Sequence, residues 1–380
     1  KTRWKLDFWH FSLLMIFVVP VILMYPFISS YGNYWAMGDS YYKVESVTNT
    51  AYLITVFGFL SVYLGRFFYD FILTPLKINP FRSLEIVVES NIKKSFSIRI
   101  IGFSTIVIIF LFIIFQFQNG IQGDPRRFFM ENIHYRPIYN FIISLMPSVT
   151  LLIAISYLYR RKKIDLFLVV SLVFLSFFLG VRAPVFLTLF FIIAFYVFLN
   201  KGNVSFLKLS FLSLMLVVGA FYMSSIRNNL NFIDVFFNSI FYGNTFSDVR
   251  DFAWVLTFWD GEFVLGKTYL AGLISFIPSF ISDYRDIWSF SKYTNNFMGF
   301  DSSTHPGHRP GIFGEAFLNF GLLGVFVLGF FAGTFLRYAD KGIKLSIVQK
   351  FDIVKAYSKS IPYYMITFFF ITSGFFGFYV

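Results

Sequence analysis

Long apolar runs, separated by short polar connections, dominate the chain. A run of about 20 apolar residues is long enough to cross the hydrocarbon core of a bilayer as an α-helix. Apolar runs lie at 8–29, 50–73, 100–118, 138–159, 164–180, 184–199, 205–223, 314–335 and 360–380. The pattern therefore predicts an all-α, polytopic membrane protein with about nine or more transmembrane helices.

The longest segment between these runs extends from residue 224 to residue 313. From Leu230 to Phe241 its apolar residues recur at helical spacing, which is typical of an amphipathic helix on a membrane surface. Residues 269–281 are apolar but too short to span and contain a proline, which predicts an interfacial or re-entrant helix. We therefore expect one integral membrane domain, residues 1–380, in which 224–313 is a large loop with helices of its own.

The composition argues against a water-soluble globular protein. Hydrophobic residues make up 57% of the 380 residues, charged residues only 14%, and phenylalanine alone occurs 58 times. A soluble core of this size cannot bury so many apolar side chains. The chain has no cysteine, which excludes disulfides and thiolate chemistry.

The distribution of positive charge predicts the orientation in the membrane. The net charge is +12, but the basic residues stand in short clusters between apolar runs, which favours lipid head groups over nucleic acid as their partner. If the spans alternate, most of the 32 lysines and arginines fall on one side, and the positive-inside rule makes that side cytoplasmic. The segment 224–313 and the turn at 180–184 then lie on the outer side, where we expect the function.

The absence of several sequence motifs argues against some kinds of catalytic site. The sequence has no His-Glu-x-x-His zinc pair, no Gly-x-Ser-x-Gly elbow and no Asp-x-Asp pair of the kind that binds a divalent metal in many sugar-nucleotide transferases. We also expect no Walker loop, and therefore no ATP-driven pump. An enzyme of this composition would bind phosphate through Arg and His side chains. We therefore expect neither a metal nor another cofactor.

A polar cluster lies at the start of the eighth apolar run. The stretch DSSTHPGHRPGIFGEAFLNFG, at 301–321, holds two His, an Arg, an Asp and a Glu. A neutral His or a carboxylate can accept the proton of an attacking hydroxyl. The candidate bases are His305, His308, Asp301 and Glu315, and the residues alone do not choose between them.

Arginines on the outer side are suited to binding a diphosphate. Guanidinium groups form bidentate, charge-assisted hydrogen bonds with phosphate oxygens, and a diphosphate leaving group needs charge stabilisation rather than protonation. The outer arginines are Arg182, Arg227, Arg250, Arg285 and Arg309. We expect Arg182 and Arg309 to contact the diphosphate, Arg227 to support them, and His308 and Asp301 to bind substrate.

Each candidate also has a purely structural interpretation. Arg182 can snorkel from a helix end to lipid head groups. The two histidines, His305 and His308, can be turn residues beside Pro and Gly. Glu315 can be a first-turn acid favoured by the helix dipole. Their concentration at one face of the membrane favours a common site.

Three stretches resemble the bacterial O-antigen polymerase family. They are GKTYLAGLISFIPSFI at 266–281, HPGHRPGIFGEAFLNFGLLG at 305–324 and the LGVRAP turn at 179–184. The resemblance implies a GT-C-like integral inner-membrane glycosyltransferase that joins repeat units carried on undecaprenyl diphosphate at the periplasmic face. It matches Arg182 to the family's inter-span arginine and Glu315 to its Gly-Glu position, and places His305, His308 and Arg309 in the polar turn before Glu315. We expect catalysis to depend on Arg182, with His305 or Glu315 as the base.

Two other functions remain open. An O-antigen ligase shares the fold, the large outer loop and essential Arg and His, and differs in its acceptor. A lipid-linked oligosaccharide flippase or other transporter would carry its key charges near the bilayer midplane and have short loops, which this sequence does not favour. The expected partners are undecaprenyl-diphosphate-linked oligosaccharides and membrane lipids, with a chain-length regulator and a flippase as protein partners.

Overall fold

The structure is a computed structural model that describes part of the chain. The described segments are 8–26, 40–73, 95–118, 136–178, 231–237, 247–274, 282–299 and 311–348, together with scattered residues that include His308 and Pro310. Within them every regular element is helical, and no strand occurs. The all-α fold class is confirmed for these segments.

The helices follow the apolar pattern closely. They are α1 (Phe8–Leu13, continued as a π-helix Leu14–Leu23), α2 (Ser40–Phe68, continued as a π-helix Tyr69–Leu73), α3 (Ser95–Gln118), α4 (Arg136–Arg160), α5 (Lys163–Phe178), α6 (Phe232–Phe237), α7 (Asp248–Phe258), α8 (Lys267–Leu273), α9 (Tyr284–Trp288), α10 (Phe290–Met298) and α11 (Gly311–Val348). The predicted loop 224–313 thus contains short helices. Within its predicted amphipathic part, Ile233 and Phe237 of α6 are exposed, as the apolar face of a surface helix would be.

Among the described residues, two helices are long and apolar enough to span a membrane. They cover Val44–Leu73 and Gly311–Leu345, while the apolar helices Ile98–Ile114 and Leu145–Leu158 are shorter. The predicted runs 184–199, 205–223 and 360–380 lie largely outside the described residues. A span count of about nine and a GT-C architecture therefore stay predictions.

The chain divides into two compact units. In the first, α3, α4 and α5 pack together, and a Cβ built at Gly102 of α3 would lie 2.4 Å from the Ile153 side chain of α4. Asp165, buried in the first turn of α5, accepts hydrogen bonds from Arg99 at 2.9 Å and from Ser156 at 3.3 Å. These hydrogen bonds offset the free-energy cost of burying the carboxylate. The helix dipole also favours a negative charge in the first turn of a helix.

In the second unit, α2 and α11 cross at glycines. A Cβ built at Gly333 would lie 1.9 Å from the carbonyl oxygen of Val62, and one built at Gly65 would lie 2.0 Å from that of Phe330. Small residues at such a crossing allow two backbones to approach closely, which is a common way for helices to associate in membranes. Farther along, Asp70 accepts two 3.0 Å hydrogen bonds from Arg337.

Helix α11 is interrupted, which the sequence did not predict. Phe320 has φ −141° and ψ 17°, and Gly321 has φ 62° and ψ −153°. Only glycine occupies the latter region without strain. The apolar run 314–335 is therefore two helical pieces rather than one straight span. The N-terminal piece ends near Asn319, and we call it the outer piece because the sequence predicts that it lies on the outer side.

Gly321→Ala is expected to destabilise the fold, since a side chain at this φ and ψ costs about 1–3 kcal/mol. An added Cβ would also lie 3.2 Å from the Phe263 ring. Thermal unfolding in detergent measures the loss. An unchanged unfolding temperature would contradict the strained conformation at this position.

Candidate functional site

The break in α11 frees backbone carbonyls that the loop uses. In a continuous helix, the carbonyls of Leu318 and Asn319 would accept hydrogen bonds from residues four positions later. Here they accept from the backbone N–H of Val264, at 3.0 Å, and of Leu265, at 3.1 Å. Freed carbonyls in a buried place need such donors, so the loop segment docks directly on the end of the outer helical piece.

The Asn319 side chain strengthens this junction. Its Oδ1 accepts the backbone N–H of Gly266 at 2.9 Å, and its Nδ2 donates to Thr268 Oγ1 at 2.7 Å and to the Glu315 carbonyl at 2.8 Å. The side chain is fully buried. A buried amide with this many partners fixes the geometry around it.

Glu315 is the carboxylate at the centre of this network. It is only 1% exposed, and Thr268 Oγ1 donates to its Oε1 at 3.0 Å. Burial first, and the nearby Glu315 second, raise the pKa of Tyr269 well above its ordinary value. Because Glu315 lies beyond the first turn of α11, the interpretation of this residue as a first-turn acid is wrong.

A second polar cluster is built on α7. Asp251 Oδ1 accepts from Arg250 Nε at 3.2 Å and Nη2 at 3.1 Å, and Asp251 Oδ2 accepts from Ser247 at 3.0 Å. His308 Nδ1 lies 4.0 Å from the same Oδ1, and its ring stacks on Trp254 with centroids 6.1 Å apart. Asp251 and Trp254 are three residues apart and so share a face of α7, which orients the His308 ring.

The partners of Asp251 determine its charge. Burial raises the pKa of this carboxyl, but the hydrogen bond with His308, the charges of Arg250 and His308, and the bond from Ser247 together outweigh burial and hold the pKa below its ordinary value of 3.8. Asp251 is therefore ionised at neutral pH. Arg250 is buried beside it, so this guanidinium serves Asp251, which limits its expected availability for phosphate.

Asp251→Asn is expected to weaken the acid sensitivity of the fold. A carboxyl whose pKa is lower in the folded than in the unfolded state contributes stability that is present above its unfolded value and is lost as the pH falls through the folded value. The contribution of Asp251 should thus be present above the unfolded value of about 4 and decline progressively as the pH falls toward the lowered folded value. Unfolding temperatures at pH 6 and pH 3.5 should differ less in the variant than in the wild type. An equal difference in both proteins would contradict this role.

Both clusters are assembled along the outer piece of α11. Phe252 of α7 packs edge-on against Phe317 at 5.9 Å, and a Cβ built at Gly314 would lie 3.0 Å from the Phe252 ring. Val255 of α7 and Leu318 belong to one buried apolar cluster. The outer piece of α11 therefore presents Glu315 on the side that contacts the loop, and His308 lies three residues before this piece begins.

The loop between α7 and α8 carries the spacing of a phosphate-binding motif. Residues 261–268 read GEFVLGKT, the spacing of a Walker phosphate-binding loop, contrary to the expectation that the chain has none. The backbone N–H groups of Val264, Leu265 and Gly266 donate to α11 instead, the Thr268 hydroxyl donates to Glu315, and Lys267 Nζ lies 4.2 Å above the Trp288 ring. These backbone and side-chain donors are therefore already hydrogen-bonded within the protein. In addition, the element before the loop is the helix α7, whereas a phosphate-binding loop follows a strand.

The structure describes two of the predicted site residues, Glu315 and His308. The other five lie outside the described residues: Arg182, Arg227, Asp301, His305 and Arg309. Sequence reasoning missed Thr268 and Asp251 as partners of the two described residues. Thr268 lies in the stretch 266–281 that carried the resemblance, whereas no signal distinguished Asp251.

The chemistry available is that of a buried carboxylate and an oriented imidazole. Glu315 can accept a proton from a hydroxyl, and the His308 ring is oriented by Trp254 and Asp251. Within the described segments, no group of three or more His, Asp or Glu side chains is placed to hold a metal ion.

Comparisons with known proteins return no match: no protein-family model, no curated protein and no solved structure is similar to the chain. The resemblance to O-antigen polymerases therefore stays a prediction.

Proposed function

We propose that this chain is an inner-membrane glycosyltransferase that polymerises undecaprenyl-diphosphate-linked oligosaccharide repeat units into O-antigen or a similar surface polysaccharide at the periplasmic face. The observation that supports the proposal most strongly is the burial and hydrogen bonding of Glu315. It is a buried carboxylate in a helix that is otherwise long and apolar enough to span a membrane, and a hydroxyl from the predicted outer loop is hydrogen-bonded to it. A carboxylate kept in an apolar segment is costly and is usually functional.

In the proposed reaction, the growing chain is the donor. A hydroxyl of the incoming lipid-linked unit attacks the anomeric carbon, a new C–O bond forms, and the bond from that carbon to the diphosphate oxygen breaks. Glu315 accepts the hydroxyl proton, with His305 as the alternative base. The diphosphate leaves with its electron pair, stabilised by Arg182 and Arg309 with support from Arg227.

His308 has a separate role in this proposal. Its ring is held by Trp254 and faces the ionised Asp251, so a protonated His308 would supply a positively charged donor. Such a donor suits a phosphate or sugar oxygen of the substrate. We assign it to substrate binding rather than to proton abstraction.

A transporter is the second candidate, and the interrupted α11 is the observation that favours it. Discontinuous helices with polar groups at the break are frequent at the substrate sites of transporters. In this protein the freed carbonyls of Leu318 and Asn319 are already bonded to the loop. A break whose carbonyls are satisfied within the protein offers fewer groups to a transported ion.

Purified protein in detergent, supplied with lipid-linked repeat units and a chelator, separates these functions. Multimers of the repeat unit on lipid support the polymerase. Transfer only to lipid A core, when that acceptor is added, supports the ligase. Absence of any product, combined with movement of the lipid-linked unit across proteoliposomes, supports transport and rejects the proposal.

A further inference from the structure

The direction of each hydrogen bond around Asn319 is fixed by its partners. The backbone N–H of Gly266 can only donate, so the atom 2.9 Å from it must be the amide oxygen. The Glu315 carbonyl can only accept, so the atom 2.8 Å from it must be the amide nitrogen. The Asn319 amide therefore has one orientation, with its NH₂ group toward Thr268.

This orientation decides what the Thr268 hydroxyl does. Asn319 Nδ2 donates to Thr268 Oγ1 at 2.7 Å, which occupies a lone pair and leaves the hydroxyl proton for another acceptor. That acceptor is Glu315 Oε1, 3.0 Å away. A hydrogen bond donated to a carboxylate favours its ionised form, the form that can act as a base.

We propose that Asn319 and Thr268 are positioning residues that orient the Glu315 carboxylate as the base of the reaction. The proposal deepens the proposed function and rests on it. The hydrogen bonds lead from Asn319, at the interruption of α11, to Thr268 of the loop, and from Thr268 back to Glu315, four residues before Asn319. Correct docking of the loop thus becomes a condition for an active base.

The surroundings of Glu315 make this donor important. Tyr269, the residue after Thr268, acts on Glu315 electrostatically and is itself buried. Both Thr268 and Asn319 are at most 1% exposed, so water does not replace a lost donor easily. Removing a hydrogen bond to a buried charged group has a larger effect than removing one between exposed neutral groups.

Thr268→Val tests the proposal because valine keeps the shape and lacks the hydroxyl. We expect kcat for polymerisation to fall about 10- to 100-fold with a smaller change in KM. Because the lost hydrogen bond favours the ionised carboxylate, the acidic limb of the pH–rate profile should move to higher pH. Thr268→Ser, which keeps the donor, should recover most of the rate and the wild-type profile.

An infrared pH titration gives a readout that does not need activity. The carbonyl stretch of the protonated Glu315 carboxyl is assigned by its loss in Glu315→Gln, and its midpoint should move to higher pH in Thr268→Val but not in Thr268→Ser. The matched control is Thr257→Val, because the Thr257 hydroxyl donates to the Ala253 carbonyl of its own helix, at 2.8 Å, rather than to a carboxylate. Neither midpoint nor rate should change there.

The two readouts distinguish the failure of each proposal. An unchanged infrared midpoint in Thr268→Val overturns the positioning role, whether or not the protein makes polymer. A shifted midpoint in a protein that forms no glycosidic product supports the hydrogen bond from Thr268 to Glu315 and rejects the polymerase function. A shifted midpoint with an unchanged rate also overturns the proposal, since the ionised state of Glu315 would then not limit the reaction.

Discussion

Glu315→Gln is expected to abolish long polymer while the protein remains folded in the membrane. Glutamine keeps a side-chain oxygen in the place where Glu315 Oε1 accepts from Thr268, so the junction between loop and helix is preserved. It cannot take a proton from the acceptor hydroxyl. Loss of a general base typically lowers a rate by a factor of about 10² to 10⁴, which is enough to remove multimers from a gel of lipid-linked products.

Glu262→Gln is the matched control for this experiment. Glu262 lies in the same loop, but it is exposed, and its substitution should leave chain lengths unchanged. Arg182→Ala is expected to behave like Glu315→Gln, since loss of the leaving-group cation should also stop elongation. Normal chain lengths in both Glu315→Gln and Arg182→Ala would show that the site assignment is wrong.

Gly333→Ala is expected to produce the largest loss of stability. The added methyl carbon would lie 1.9 Å from the Val62 carbonyl oxygen and 2.7 Å from the carbonyl carbon, far inside van der Waals contact. These are backbone atoms, so no side-chain rotation relieves the clash and α2 must move away from α11. We expect a cost at or above the about 1–3 kcal/mol typical of overpacking, visible as a large drop in unfolding temperature and a loss of monodisperse protein.

Gly219→Ala is the control for the added methyl group itself. Among the residues that the structure describes, none lies within 4 Å of a Cβ built at the helical residue Gly219, so helix propensity should make this change neutral or slightly stabilising. If Gly333→Ala unfolded at the wild-type temperature, the close approach of α2 and α11 would be wrong.

The helical class of this protein follows from its sequence alone. Unbroken apolar runs of membrane-spanning length, with few charges inside them, are typical of helices, which satisfy their backbone hydrogen bonds internally. The helices α2 to α5 and α11 therefore coincide with predicted runs. The sequence also identified Glu315 and His308 as candidates, since ionisable residues are conspicuous at the edge of so apolar a segment.

The partners of these residues were decided by tertiary structure. Thr268 and Glu315 are 47 positions apart, and no periodicity links residues at that separation. The same holds for Asp251, which meets His308 only because α7 packs on the outer piece of α11.

The interruption of α11 is the clearest case. Gly321 alone does not predict a break, because glycine is common inside membrane helices. A break becomes stable only when other donors satisfy the freed carbonyls, and here Val264 and Leu265 of the loop supply them. Sequence thus determined which segments are helical and which residues can react, whereas the docking of a distant loop on the broken helix decided where the helix stops and what surrounds its carboxylate.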